Sequence, residues 1–160
     1  MTPRSLYAIA PHLSRAECEA ITKKVLGFST ADECRVSVNS GMRQNTRFAV
    51  NQISTAGDDY NASVNIRSVI GKKVASVSVN RLDDASLKAA VANSERIARL
   101  APDDPELLPE LPMGQYAESI VWSDTTASLE PEARADAVRA VTEASRKAGL
   151  ISTGYLEAQA

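Results

Sequence analysis

Histidine is the side chain most often used as a general base near neutral pH, and this chain of 160 residues contains one, His12. A zinc centre built on histidines needs several ligands, and a hydrolase triad needs a histidine held by a partner. Among the ligand types, Glu17 alone follows His12 at a suitable spacing. We interpret His12 as a surface or capping residue, so the sequence predicts no self-contained catalytic site.

Three pairs of adjacent aspartates are the other candidates for metal or acid–base chemistry: Asp58-Asp59, Asp83-Asp84 and Asp103-Asp104. Each pair falls where a turn or a helix start is predicted. Aspartate forms turns and caps helices through hydrogen bonds to nearby backbone groups. Local structural roles therefore explain these pairs more simply than catalysis does.

Three arginines, Arg43, Arg47 and Arg67, fall on predicted sheet elements. Arginine can bind a carboxylate through two parallel hydrogen bonds. For any one of them, a solvated strand position is the simpler interpretation. The segment from Arg43 to Gln52 is nevertheless polar for a core element, and it also contains Asn51. It could cross a surface or line a groove, which makes Arg43, Arg47 and Asn51 groove candidates.

Composition excludes several function classes. Lys and Arg total 18 against 20 Asp and Glu, and the net charge of −2 gives no field for holding nucleic acid. No apolar run approaches the roughly 20 residues that span a bilayer, and Met1 to Pro11 does not have the pattern of a signal peptide. Cys18 and Cys34 match no metal or redox spacing, so we expect buried thiols in a reducing, cytoplasmic setting.

The elements that must position these residues alternate between helix and strand. Ser14 and Glu17 form a predicted capping box at the start of a first helix, which Gly27 is expected to stop. A strand over Glu33 to Asn39 follows. A turn starting at Gly41 would then lead into a second strand, Arg43 to Ala49, paired with the first as a hairpin.

The chain from Tyr60 onwards has stronger signals. Two long strands, Tyr60 to Ile70 and Lys72 to Asn80, alternate in polarity around a predicted two-residue turn at Gly71-Lys72. A helix capped by Asp83 or Asp84 then runs to Pro102, and a proline-rich extended segment follows. The last predicted elements are a helix from near Pro131 to Gly149 and a strand from Ile151.

This order predicts an α+β fold with a mainly antiparallel sheet and about three helices packed on it. We expect residues 1–160 to form a single domain. The sequence stops at Ala160 inside a strand-like run, which favours the N-terminal part of a longer protein.

Several features together resemble the first domain of the TldD/PmbA family, a group of cytosolic metallopeptidases and their paralogous partner subunits. The resemblance covers residues 14 to 160 in order of elements. It is carried by the following residues: Arg47, Asn51, Ile53, Val64-Asn65-Ile66-Arg67, Gly71, Ser78-Val79-Asn80-Arg81-Leu82-Asp83, Leu87, Ala90, Val91, Ile97-Ala98-Arg99-Leu100-Ala101-Pro102, Asp104-Pro105, Leu111-Pro112 and Tyr116.

The resemblance implies a non-catalytic part of a zinc metallopeptidase or of its paralogous partner subunit. The family's zinc motif, H-E-x-x-x-H, lies in a later part of such chains and maps onto no residue of this sequence, so zinc is implied only for the parent protein. The family domain would help to form a dimer shell, homomeric or with a paralogue, around a channel that holds peptide substrates. Arg43, Arg47 and Asn51 are then peptide-groove candidates.

Two other hypotheses remain open. The chain could be a stand-alone protein-interaction module without enzymatic activity, which offers a sheet edge or its proline-rich segment to a partner. A weaker alternative is an enzyme whose site uses arginine and aspartate without histidine or metal.

Overall fold

The computed structural model describes residues 12–111, 114, 115, 117, 119 and 121–160. The prediction that residues 1–11 form no signal peptide therefore lies outside the described residues. Within the described ranges, four helices and four strands follow one another: α1 (Arg15–Phe28), β1 (Glu33–Ala49), β2 (Gln52–Ile70), β3 (Lys73–Val79), α2 (Asp84–Leu100), α3 (Asp124–Ala127), α4 (Pro131–Lys147) and β4 (Gly154–Gln159). None of the helices in the described part of the chain combines the length and the apolar character that crossing a bilayer requires.

The strands form one antiparallel sheet in the order β3-β2-β1-β4, which confirms the α+β prediction. The predicted turn at Gly71-Lys72 joins β2 to β3, because Ile70 pairs with Lys73 and Gly71 has a φ of 61°. A second tight turn, Val50-Asn51, joins β1 to β2 with both residues at positive φ.

The predicted turn at Gly41 was wrong, because β1 continues through this residue as one long strand. The end of β4 explains why a glycine stands there. A Cβ atom at position 41 would lie 3.0 Å from the carbonyl oxygen of Ala160. The glycine at position 41 therefore allows the backbone of Ala160 to approach closely, and it does not mark a turn.

The helix ends follow the sequence signals with one exception. The capping box of α1 is present, since Ser14 and Glu17 bond to each other's backbone N–H. Asp83 caps α2 by accepting a hydrogen bond from the N–H of Ser86. The predicted stop at Gly27 was wrong, because α1 continues through it to Phe28, whereas Gly149 does follow α4 with a φ of 71°.

The chain divides into two compact units, and both β1 and β2 contribute residues to each of them. Unit 1 comprises residues 1–40 and 61–118. Its core is apolar, because α1, α2 and β2 bury aliphatic side chains together: Val25, Val64, Ile66, Leu87, Ala90 and Val91. Half-buried residues on β1 and β3 extend this cluster, which gives unit 1 the usual hydrophobic stabilisation.

The buried polar groups in the core of unit 1 are hydrogen-bonded. The hydroxyls of Ser68 and Ser94 lie 2.7 Å apart. The carboxylate of Glu95 accepts hydrogen bonds from the Ser29 hydroxyl, the Thr30 hydroxyl and two backbone N–H groups of residues 30–31. This carboxylate therefore fixes the chain just beyond the end of α1.

Unit 2 comprises residues 41–60 and 119–160, and its interior is polar. Alternate residues of β1 and one stripe of α4 are buried there: Met42, Gln44, Thr46, Phe48, Arg134, Val138 and Thr142. The guanidinium of Arg134 is 1% exposed and donates to Asp58 at 2.6 Å. Gln44 and Arg134 both donate to the carbonyl oxygen of Leu129, at 3.0 and 3.3 Å.

Candidate functional site

The arginines predicted on the polar segment lie on the exposed side of β1. Arg43 and Arg47 alternate with buried residues because successive side chains of a strand point to opposite faces. The strand therefore commits one face to the interior of unit 2 and presents both guanidinium groups on the other. This part of the prediction, which placed Arg43 and Arg47 on a sheet, agrees with the structure.

Strand β4 completes this surface. The antiparallel register sets Tyr155 opposite Arg47 and Glu157 opposite Asn45. The guanidinium carbon of Arg47 lies 5.3 Å from the centre of the Tyr155 ring, and Nε of Arg43 lies 3.7 Å from a carboxylate oxygen of Glu157. We call this surface the outer β1–β4 face; its residues are Arg43, Asn45, Arg47, Tyr155, Glu157 and Gln159.

The charges on this face are arranged around Glu157. The Tyr155 hydroxyl donates to its carboxylate at 2.7 Å, and the Gln159 amide donates as well. These bonds, led by that of Tyr155 and assisted by Arg43, lower the pKa of Glu157. The same bond raises the pKa of Tyr155, with smaller contributions from burial and the Glu157 charge. The face thus keeps an ionised carboxylate and a protonated phenol near neutral pH.

Arg47 has unused hydrogen-bonding capacity on this face. Its contact with the Tyr155 ring uses the face of the guanidinium plane. No side-chain hydrogen bond of Arg47 occurs to any described residue, so its N–H donors are directed to solvent. A guanidinium of this kind can bind a carboxylate, or carbonyl oxygens of an extended peptide, while the ring fixes its orientation.

Asn51 has a different environment, in the turn between β1 and β2. Its side-chain amide donates to the carbonyl of Leu150 at 2.9 Å and accepts from the N–H and the hydroxyl of Ser152, at 2.7 and 2.6 Å. Asn51 also takes a positive φ of 59°, which asparagine tolerates better than most residues. The geometry gives it a structural role, and its membership of a groove stays a prediction.

Sequence reasoning missed the residues that complete the face. Tyr155, Glu157 and Gln159 alternate along the final strand, and this period of two was the available signal. Their pairing with β1 could not be predicted because it joins residues more than a hundred positions apart. The burial of Arg134 with Asp58 was missed for the same reason, since its partner lies in a distant strand.

The zinc that the family resemblance implies does not fit the donor set of this chain. The sequence has one histidine. Within the described ranges, no three His, Cys, Asp or Glu side chains come together as a group that could hold a metal ion. The described residues therefore offer zinc no ligand set, and the chemistry of this face rests on its arginines, its carboxylate and its phenol.

Comparison with known proteins agrees with the fold and the resemblance. The sequence model described as PmbA/TldA metallopeptidase domain 1 matches residues 34–98, which run from β1 through most of α2. A search of curated proteins gives no significant match. The match over residues 34–98 confirms the resemblance to the first, N-terminal domain of the TldD/PmbA family.

Solved structures share the fold at low sequence identity. TldE from Thermococcus kodakarensis superposes with a TM-score of 0.71 at 16% identity, over 88% of this chain and 36% of that one. A protein described as a modulator of DNA gyrase, from Bacteroides thetaiotaomicron, gives 0.69 at 14% identity, over 92% and 40%. A protein with a similar description, from Thermotoga maritima, gives 0.60 at 12% identity, over 88% and 32%. The chain thus spans well under half the length of each.

Proposed function

We propose that this chain is the non-catalytic N-terminal part of a cytoplasmic TldD/PmbA-like zinc metallopeptidase, or of its paralogous partner subunit. It helps to form a dimer shell and holds peptide substrates for proteolysis elsewhere in the parent protein. The family assignment and the greater length of the solved relatives support this proposal. Zinc and its ligands would come from residues outside this chain.

The observation that carries the proposal is the outer β1–β4 face. Strand β4 is at one end of the sheet order, so its outer edge can pair with an extended peptide. Backbone pairing gives affinity without strict sequence choice, which suits a protease that accepts many peptides. Arg47, held over the Tyr155 ring, would then bind a peptide carboxylate or carbonyl next to that edge.

Peptide titration of the isotope-labelled chain tests this role. The probe is a short, unstructured peptide with a free C-terminal carboxylate. We expect the largest amide shift changes at residues 43–47 and 155–159. Arg47→Gln should weaken binding by roughly 10- to 150-fold, because one charge-assisted hydrogen bond contributes about 1.5–3 kcal/mol.

The matched control is Arg139→Gln, which removes the same charge from an exposed position on α4 in the same unit. It should leave the affinity unchanged. Equal losses in the two variants would show that general electrostatic attraction, rather than the outer β1–β4 face, holds the peptide. Shift changes confined to other residues would also contradict the proposal.

A second candidate is the stand-alone interaction module, and one feature favours it. Val50, Leu150 and Ile151 are exposed on two segments that Asn51 joins by hydrogen bonds. Contiguous exposed apolar residues commonly mark protein contacts. Light scattering distinguishes the two candidates. Under either candidate, Val50→Ser should leave the peptide affinity unchanged. If Val50, Leu150 and Ile151 form the contact surface of an interaction module, the same variant should abolish self-association or partner binding.

A further inference from the structure

Two arginines of unit 1 share a single carboxylate. Arg35 on β1 and Arg67 on β2 both contact Glu110: Nη1 of Arg67 lies 2.5 Å from one carboxylate oxygen, and Nη1 of Arg35 lies 3.5 Å from the other. The Arg67 side chain is 19% exposed. Two guanidinium groups from neighbouring strands, one on each oxygen, form a clamp suited to a carboxylate.

The bound carboxylate belongs to an extended segment of this chain. We call residues 104–111 the strap. Its backbone is tied at one end by the Asp104 N–H, which donates to the Lys72 carbonyl at 2.8 Å. At the other end the Glu110 N–H donates to Glu33 at 3.4 Å, which is a long hydrogen bond.

Leu107 of the strap is half-buried, but apolar packing does not anchor the end of the strap near Glu110. Leu108 is 79% exposed and Leu111 is 90% exposed, so neither side chain contributes appreciable burial. The ion pairs of Glu110 are therefore the main attachment at this end of the strap. Partly exposed ion pairs contribute little to stability, and a segment with few buried contacts opens at low free energy.

We propose that Arg35 and Arg67 form a carboxylate-binding site that Glu110 occupies in cis and that an extended acidic peptide occupies in trans when the strap detaches. The strap sequence Glu106–Leu111 is the template for this ligand: an acidic side chain among leucine and proline in extended conformation. Glu33, whose carboxylate accepts the Glu110 N–H, is the other charged group at this site. Two arginines and one glutamate leave a net charge of about +1, which matches a singly charged carboxylate better than a doubly charged phosphate. This site is independent of the proposed function, since it uses no residue of the outer β1–β4 face.

Competition between strap and peptide tests the site in the full chain. The probe is a fluorescent peptide with the sequence of residues 104–111. In the unchanged chain, Glu110 of the strap occupies the carboxylate-binding site most of the time. Glu110→Gln removes this cis carboxylate, so the variant should bind the probe about tenfold more tightly than the unchanged chain does. Glu106→Gln is the matched control, because Glu106 lies on the same strap and makes no ion pair with any described residue.

Three further measurements keep the result decisive. Adding Arg67→Gln to Glu110→Gln should abolish probe binding, and a probe with glutamine in place of its second glutamate should bind neither form. Hydrogen exchange at residues 104–111 should rise in Glu110→Gln and not in Glu106→Gln. Equal probe affinity in the unchanged chain and in Glu110→Gln, or binding that survives Arg67→Gln, would overturn the proposal and leave Glu110 as a structural tether.

Discussion

The two units of this chain bury different chemistry, although both are built on β1 and β2. Unit 1 encloses an aliphatic cluster, and its buried hydroxyls and carboxylate are hydrogen-bonded. Unit 2 encloses Gln44, Thr46 and Arg134 between few apolar residues. Each of these three side chains has one polar atom without a hydrogen-bond partner among the described residues: Gln44 Oε1, Thr46 Oγ1 and Arg134 Nε.

This difference between the two cores indicates which unit contributes more stability and which unit opens more readily. Burying aliphatic side chains is strongly favourable, whereas a buried polar group without a partner costs free energy. A buried ion pair contributes less than its Coulomb attraction suggests, because both charges lose hydration. We therefore expect unit 1 to supply most of the stability, and unit 2, which carries the outer β1–β4 face, to open more readily.

Truncating the apolar core should have the largest effect. Leu87→Ala removes a fully buried side chain from α2 and should lower the free energy of unfolding by about 2–5 kcal/mol in urea denaturation. Leu100→Ala, on the same helix but 76% exposed, is the control and should cost less than about 1 kcal/mol. Similar losses in both would contradict an apolar core centred on α2.

The buried ion pair of unit 2 should respond asymmetrically. Asp58→Asn leaves the buried guanidinium of Arg134 without its counter-charge and should cost on the order of 2–3 kcal/mol, reduced because Asp58 is partly exposed. Arg134→Met removes the buried charge and leaves Asp58 able to reach water, so its cost should be below about 1 kcal/mol. A larger loss for Arg134→Met would mean that the guanidinium network itself stabilises unit 2.

Gly154 tests the packing of β4 on β1. A Cβ atom at position 154 would lie 2.4 Å from Cζ of Phe48, so the ring covers the glycine directly. Gly154→Ala should destabilise the chain by about 1–3 kcal/mol, and Phe48→Leu should relieve part of that loss. The control is Gly27→Ala on α1, where the added methyl meets no atom within 4 Å and should be neutral or stabilising.

Glu95 gives the smallest effect and sets a pH dependence in unit 1. Burial by itself raises the pKa of Glu95, but hydrogen bonds from Thr30 and Ser29 and the charge of Arg99 lower it overall. A pKa that is lower in the folded state contributes stability above the unfolded value, and this contribution is lost as the pH falls through the folded pKa.

Glu95→Gln should therefore cost about 1 kcal/mol at neutral pH and little in acid, so its stability curve below about pH 4.5 should be flatter. Urea denaturation at a series of pH values measures this. An unchanged slope in Glu95→Gln would show that other carboxylates cause the acid sensitivity.

The sequence predicted the features that depend on neighbouring residues. The Ser14–Glu17 capping box, the Asp83 cap and the Gly71-Lys72 turn each depend on residues a few positions apart. Gly41 was misinterpreted because its reason is the approach of Ala160, which no local pattern reveals.

The candidate site was predicted in part. Arg43 and Arg47 were found because a polar run on a strand is visible in the sequence. Tyr155 and Glu157 were missed because the register of β4 on β1 decides which side chains meet. The buried position of Arg134 runs against the usual exposure of arginine, so only the folded structure, with Asp58 beside it, accounts for it.

Native-state hydrogen exchange tests most directly the claim that unit 1 is the stable frame and unit 2 the adaptable part. The paired amides of residues 64–70 and 73–79 in unit 1 should open with a higher free energy than those of residues 43–48 and 154–159 in unit 2. A bound peptide should raise protection in the second group. Equal protection in both groups, or higher protection in unit 2 without peptide, would contradict the account.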